Sequence, residues 1–271
     1  MKISIITAVY NNRPFILSCI QSVATQIYPH IEHIIIDGGS NDGTLKAIKG
    51  VMSPASHITD YGSRVTKIIS EPDNGIYDAL NKGIKIATGD VIGFLHADDV
   101  YADKTVIEKV MEVMSKDGCE SCYGDLLYVK EKGKETIQNS KLKTQNFQLV
   151  RYWKSGEFNP DKFKWGWMPP HPTFFVRREV YEKLGVFDTS FKIAADYELM
   201  LRFLGRNRIS TCYIPEVLVK MRIGGASNRS IGNILRKSYE DYRAMKMHHI
   251  GGVFTLLQKN LSKIPQFFQK Q

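Results

Sequence analysis

Asp90-Val-Ile-Gly-Phe-Leu-His-Ala-Asp-Asp99 is the stretch on which the fold turns. Its apolar residues, Val91–Leu95, run straight towards two adjacent carboxylates. A short apolar run bounded by turn residues suits a strand buried on both faces of a sheet. In an open α/β sheet the ligand crevice lies beyond the carboxyl ends of the strands, so Asp98 and Asp99 are expected at its lip. Neighbouring carboxylates repel and shift each other's pKa unless a cation lies between them and a partner. A hard divalent ion, Mg2+ or Mn2+, sits on one or two carboxylates plus the phosphates of a substrate. The plainer alternative is turn chemistry or a helix cap, which loop aspartates also serve.

Outward from this strand, the first half alternates strand and helix patterns. Ile3–Val9, His33–Ile36 and Val65–Ser70 read as strands, and Cys122–Val129 as a fifth after Val91–Leu95. Pro14 suits a first helical turn, and Ile16, Ile20, Val23 and Ile27 follow at helical spacing. Ile76, Leu80, Gly83, Ile84 and Ala87 line a second helix, and Val106, Val110, Val113 and Met114 a third. That order predicts a mainly parallel sheet with helices on both faces. Residues 130–170 are polar, basic and Trp-rich, and are expected to form irregular loops and short strands. Order returns with a strand over Thr173–Val176, a helix from Arg178 to Leu184 stopped by Gly185, a helix over Asp196–Leu204, strand character over Ile209–Met221 and a helix over Ser230–His249.

The 271 residues fit one large domain, and 43% apolar content supplies a core. No apolar run approaches the ~20 residues that cross a bilayer. The apolar part of the N-terminus is too short for a secretory signal, so a cytoplasmic location is expected. Cys119 and Cys122 form an isolated C-x-x-C, with Cys19 and Cys212 far away, and reduced structural thiols are the expectation. The net charge of +9 is uneven: residues 229–271 carry +6 and 130–164 carry +5. Basic segments on a near-neutral core suggest an anionic partner, with a solvated surface as the alternative. No recognition module for nucleic acid is visible, so none is expected as a partner.

Four strand-end loops then converge: Thr7-Ala-Val-Tyr-Asn-Asn12, Asp37-Gly-Gly-Ser40, Glu71-Pro-Asp-Asn-Gly75 and His96-Ala-Asp-Asp99. Small residues, Asn and Asp let such loops approach a nucleotide closely. Neither a G-x-x-x-x-G-K-S/T loop nor a G-x-G-x-x-G turn is present. With Ile34-Ile-Ile-Asp-Gly-Gly-Ser-Asn-Asp-Gly-Thr44, Ser70–Gly83 and Thr88–Asp99, these motifs resemble those of the family 2 glycosyltransferases with the GT-A fold. The resemblance is dense over residues 1–125. It thins through His171-Pro-Thr-Phe-Phe175, Leu184-Gly-Val-Phe-Asp188 and Ala194-Ala-Asp-Tyr-Glu-Leu-Met-Leu-Arg202.

The resemblance implies an α/β GT-A fold: a mainly parallel, Rossmann-like central sheet flanked by helices. It implies a nucleotide-sugar-binding half (1–125), an acceptor-binding and catalytic half (126–228) and a basic helical C-terminal extension (229–271). It implies an inverting, metal-dependent transferase using Mn2+ or Mg2+. Such an enzyme moves a sugar from a nucleotide-sugar, with UDP favoured, to a glycan or lipid-linked acceptor of bacterial surface polysaccharide. Thr7, Val9, Asp37 and Asp73 would hold base and ribose. The D-x-D motif falls on His96-Ala97-Asp98, so Asp98 would be the metal ligand and His96 replaces the first acid. Asp99 would back Asp98 or cap the next helix. Asp196 would be the general base, though its position also suits a helix N-cap. His171, Trp167 and Arg222 are candidate acceptor or diphosphate contacts, Arg222 within a loop closing with Gly224-Gly225. Trp165 and Trp167 would stack on sugar or pack in the core.

Two other readings compete. A sugar nucleotidyltransferase would carry a Gly-rich first loop, which Thr7–Asn12 lacks. A non-catalytic sugar-nucleotide-binding partner would explain His96 and Ala195 in place of acids. In the tail, Phe254, Leu257, Leu261, Ile264 and Phe268 form one helical stripe, interrupted by Pro265, beside Lys259, Lys263 and Lys270. That pattern suggests peripheral contact with the inner face of the cell membrane, with self-packing or a second subunit as the alternative.

Overall fold

The structure is a computed structural model that describes residues 1–52, 65–116, 118–131, 147–223 and 231–261. The chain runs β1 (Ile3–Val9), α1 (Ile16–Ala24), β2 (Ile31–Asp37), α2 (Thr44–Met52), β3 (Val65–Ser70), α3 (Ile76–Ile86), β4 (Val91–Phe94), β5 (Val100–Tyr101), α4 (Val106–Lys116), β6 (Ser121–Glu131) and β7 (Phe147–Trp153). It continues through β8 (Phe175–Arg177), α5 (Arg178–Leu184), α6 (Ala195–Met200), a π-helical stretch (Leu201–Arg206), β9 (Thr211–Arg222), α7 (Ile231–Met247) and α8 (Val253–Leu261).

Every residue of β1, β2 and β4 is buried, as strands sandwiched between helices must be. They pair in parallel in the order β3-β2-β1-β4, with Ile6 level with Ile34 and Phe94. One face packs Ile6, Ile34, Ile36 and Phe94 under α3, and the other packs Ile3, Ile5 and Val91 against α1 and α4. Gly83 lets α3 approach closely, since a Cβ there would fall 2.4 Å from Ile6 Cγ2. Beyond β4 the sheet turns mixed, in the order β8-β6-β9-β5 with β7 on β6. β8 runs antiparallel to β4 and β6, while β9 runs parallel to β6. The parallel expectation therefore holds for the first half, and the second half adds antiparallel strands.

Several local expectations shift. Ile27 lies beyond α1 and is exposed. The chain reaches β8 through a 3-10 turn at His171–Thr173, not a strand. The thiol expectation is corrected. Parallel pairing of β6 and β9 brings Cys119 and Cys212, 93 residues apart, into a disulfide with a Cα–Cα distance of 6.2 Å. Linear spacing had joined Cys119 to Cys122 instead, and Cys122 is a buried free thiol.

Arg222 closes β9 and is only 5% exposed. Its Nε donates to the Glu131 carboxylate (3.1 Å), Nη1 to the Asp98 carbonyl and Nη2 to the Ser18 hydroxyl (3.1 Å). The guanidinium also lies 4.9 Å from the Phe15 ring centroid and 5.2 Å from that of Phe147. This corrects the picture of an open phosphate-closing arginine: each nitrogen is engaged by protein, and Gly224-Gly225 lie outside the described residues. Arg222→Met should lower unfolding free energy by about 2–3 kcal/mol, because a buried carbonyl loses its donor. Denaturant titration checks this. Native stability with weakened diphosphate binding would restore the phosphate role.

His33 on β2 is fully buried, with Nε2 2.9 Å from the Thr7 hydroxyl. Burial lowers its pKa from 6.5 to about 3. The unfolded chain thus takes up this proton near pH 6.5, while the folded chain resists until about 3. Stability should be full above the higher value and fall as pH drops between the two. Melting temperature against pH should show this decline, and His33→Gln should flatten it. An unchanged slope in that variant would place the responsible group elsewhere.

Candidate functional site

The crevice is built at the carboxyl ends of β1, β2, β3 and β4, where a switch from apolar strand to Asn, Asp and Gly ends each ladder. The first two loops latch together. Asn11, at a positive φ of 48°, donates its N–H to the Ser40 hydroxyl (2.8 Å), and its side-chain oxygen accepts from Asn41 N–H (2.9 Å). Asn12 N–H donates to the Thr44 hydroxyl at 2.9 Å. Asp37 is buried, and its carboxylate accepts from Ser40 N–H and from the Ser70 hydroxyl at 2.6 Å. It therefore shapes the loop from beneath. Thr7 likewise turns inward to His33, and Val9 is buried. Asp73 accepts from Gly75 N–H (2.9 Å) and lies against Gly38, on the same rim.

At the end of β4 the three adjacent positions separate. Ala97 is buried, Asp98 is half-buried and Asp99 is 1% exposed. Asp99 accepts from Arg222 N–H at 3.2 Å and keeps Oδ2 without a partner. Burial, then the Asp98 charge, pushes its carboxyl well above the usual range. It caps no helix, because α4 starts after Thr105, whose N–H is held by Asp103. Asp98 has its carbonyl held by Arg222, and its carboxylate takes no hydrogen bond from the described residues. No ready-made cage of three or more His, Cys, Asp or Glu exists among the described residues. A single unencumbered carboxylate at the lip still fits a Mg2+ or Mn2+ ion that completes its shell with phosphates and water.

The second half of the chain brings two groups, His171 and Asp196, to the same place. The His171 ring stacks on Phe94 at 5.3 Å and stands 5.9 Å from His96. Burial lowers the His171 pKa to about 4, against an opposing pull from Asp196. Burial also lowers that of His96, opposed by Asp98 and then Asp196. Both rings are therefore neutral near pH 7, and His96 Nδ1 and His171 Nε2 are buried without partners. Two aimed, uncharged imidazole nitrogens can donate or accept without adding charge. Asp196 sits in the first turn of α6, but Ala194 is the N-cap and no side chain caps it. Asp196 Oδ1 accepts from Tyr77 Oη at 3.3 Å and from Tyr197 N–H at 2.8 Å. Asp98 and Asp196, 98 residues apart in sequence, thus act on one imidazole.

The aromatic candidates lie elsewhere. Trp167 packs among Tyr123, Phe158 and Phe163, with Nε1 donating to the Ser155 carbonyl at 3.0 Å. Trp165 is exposed against Phe254 of α8. Sequence reasoning missed Tyr77 and Glu240. Helical spacing drew attention to Ile76 and Leu80, and Tyr77 lies one position off that face. Glu240 left a faint signal as one of two acids in a basic extension.

Comparison with known proteins shows the family and the fold. The sequence profile of Glycosyl transferase family 2 matches residues 4–185. A PGL/p-HBAD biosynthesis glycosyltransferase of Mycobacterium bovis is 27% identical over 227 residues, covering 83% of this chain and 78% of that protein. S. aureus TarS 1–349, solved with UDP-GlcNAc, superimposes with a TM-score of 0.62 at 17% identity, over 91% of this chain and 65% of that one. Against the longer TarS chain the coverage falls to 39%. The mannosyltransferase PcManGT from Pyrobaculum calidifontis, solved with GDP-Man and Mn2+, gives 0.61 at 14% identity over 100% and 76%. The chain belongs to glycosyl transferase family 2 and is a glycosyltransferase with the GT-A fold.

Proposed function

We propose that this enzyme transfers a sugar from a nucleoside-diphosphate sugar, with UDP favoured, to a hydroxyl of a glycan or lipid-linked glycan. The reaction inverts the anomeric centre and serves assembly of a bacterial cell-surface polysaccharide. The observation that carries the reading is the placement of Asp98 and Asp196 about the His96–His171 pair. In this reading one carboxylate serves the donor and the other the acceptor. The sugar nucleotides in the solved relatives and the biosynthetic name of the mycobacterial relative support the substrate class.

In this reading the Asn11, Asp37 and Asp73 loops, with Thr7, Val9, His96 and Ala97 behind them, form the wall for base and ribose. Asp98 would hold a Mn2+ or Mg2+ ion, which when bound neutralises charge on the departing diphosphate. The Asp196 carboxylate takes the proton of the acceptor hydroxyl. That oxygen forms its bond to the anomeric carbon as the bond to the diphosphate oxygen breaks, and the electron pair leaves with the nucleoside diphosphate. Neutral His96 and His171 orient donor or acceptor oxygens by hydrogen bonding.

No described helix is long and apolar enough to cross a membrane. A peripheral contact on the inner membrane face is proposed through α8. Phe254 is 65% and Leu257 56% exposed, with Val253 and Leu261 on the same outward side and Trp165 in ring contact with Phe254. Lys259 takes no part in that contact, being buried in an ion pair with Asp241 at 3.0 Å. Ile264, Phe268, Lys263 and Lys270 lie outside the described residues.

Nucleoside diphosphate release from a panel including UDP-GlcNAc, UDP-glucose and GDP-mannose, with and without Mn2+, tests the activity. Asp98→Ala should abolish metal-dependent release and weaken diphosphate binding in Mn2+. Near-native turnover would remove the metal assignment. Asp196→Asn should keep fold and donor binding while turnover falls about 10^2-fold or more. A matched loss of stability and activity would make it structural. Phe254→Ser/Leu257→Ser should reduce sedimentation with phosphatidylglycerol vesicles at least about tenfold at unchanged melting temperature. Loss of a dimer with unchanged vesicle binding would assign that face to a second subunit.

A further inference from the structure

Residues 192–194 are the short link that delivers Asp196 to the crevice. Two groups from distant parts of the chain grip it. From the donor half, Tyr77 Oη donates to the Ile193 carbonyl at 2.7 Å. From α7 in the C-terminal extension, the Glu240 carboxylate accepts the N–H groups of Lys192 (3.0 Å), Ile193 (2.8 Å) and Ala194 (3.0 Å). Glu240 is 3% exposed, and its remaining partner is Arg236 at 3.1 Å. Burial opposes its ionisation, but the three amides outweigh that and hold its carboxyl below the usual range.

We propose that Glu240 is a positioning residue for Asp196, which makes the C-terminal extension part of the catalytic unit. The inference rests on Asp196 as the base. The N-cap of α6 offers no side-chain bond, and even with the π-helical stretch that continues it the helix is short enough to have little stability of its own. Its entry geometry is therefore set by what holds residues 192–194. Removal of the carboxylate leaves three N–H donors facing a space with no acceptor, and the link must turn to find others. Asp196, two residues on, turns with it. Neither Asp196 nor Glu240 lies within the family-matched residues 4–185, so this clasp is a feature of the chain beyond that match.

The test uses the full chain and initial rates of diphosphate release in Mn2+, from whichever of UDP-GlcNAc or GDP-mannose turns over faster. Glu240→Ala should lower kcat at least about tenfold well below its melting temperature, because small displacements of a reacting group are costly. The donor KM should stay within about twofold. Glu240→Gln, which keeps the shape, should lie between and carries the test if the alanine variant unfolds. Arg236→Ala, which removes an outer ion pair, should leave kcat unchanged. In Asp196→Asn, adding Glu240→Ala should cost nothing more, since the group it positions is already disabled. Native kcat in folded Glu240 variants overturns the proposal, and so does a multiplicative loss in the double variant. Native turnover in Asp196→Asn alone would instead overturn the base assignment beneath it.

Discussion

Complete burial of β1, β2 and β4 is the constraint on which the rest depends. A strand covered on both faces keeps a polar side chain only where a partner lies beside it, as Thr7 and His33 do for each other, and its backbone groups find partners only in adjacent strands. Polar residues are consequently driven to the strand ends. There Asn11, Asp37, Asp73 and Asp98 gather on one edge because the parallel register of β2, β1 and β4 brings those ends level. The crevice is thus a by-product of sheet burial before it is a site. Its upper wall is held by Arg222, whose contacts with Asp98, Glu131 and Ser18 tie β9 to the loop after β4.

The donor half was legible because its signals are local. The β1 and β3 bounds follow from apolar runs alone, and Gly185 marks the end of α5 as read. The motifs after β4 placed Asp98 at a lip without any knowledge of its neighbours. What stayed illegible depends on contacts distant in sequence. The Cys119–Cys212 bond needs the β6–β9 pairing. The engagement of Arg222 needs Phe15, Phe147 and Glu131 to arrive from three other elements. Tyr77 and Glu240 matter only because residues 192–194 pass between them. Periodicity cannot announce a hydrogen bond across more than a hundred residues, such as the one from Tyr77 to Ile193.

The C-terminal extension shows how an apolar stripe can be read correctly and the lysine beside it wrongly. The apolar stripe of α8 exists, but it faces outward, while Thr255 and Lys259 face in. Lys259 lies over the Tyr197 ring at 3.0 Å and pairs with Asp241, which also accepts from Lys237. His248 meets Glu198 at 2.8 Å in the same layer. Both acids of the extension, Glu240 and Asp241, are buried in this contact with the catalytic half. The outward side of these helices therefore keeps apolar and basic residues without an acid among those described.

The inward turn of Asp99 alters the charge that an arriving donor meets. A carboxyl sealed from water beside a second one is pushed towards its uncharged form. Of two aspartates adjacent in sequence, one is thus turned to the lip and the other is buried beneath it. An anionic diphosphate entering from solvent then meets less repulsion than the sequence implies, since Coulomb energy scales with the charges present. The balance of charge in the crevice is in this sense set by a residue sealed beneath its surface.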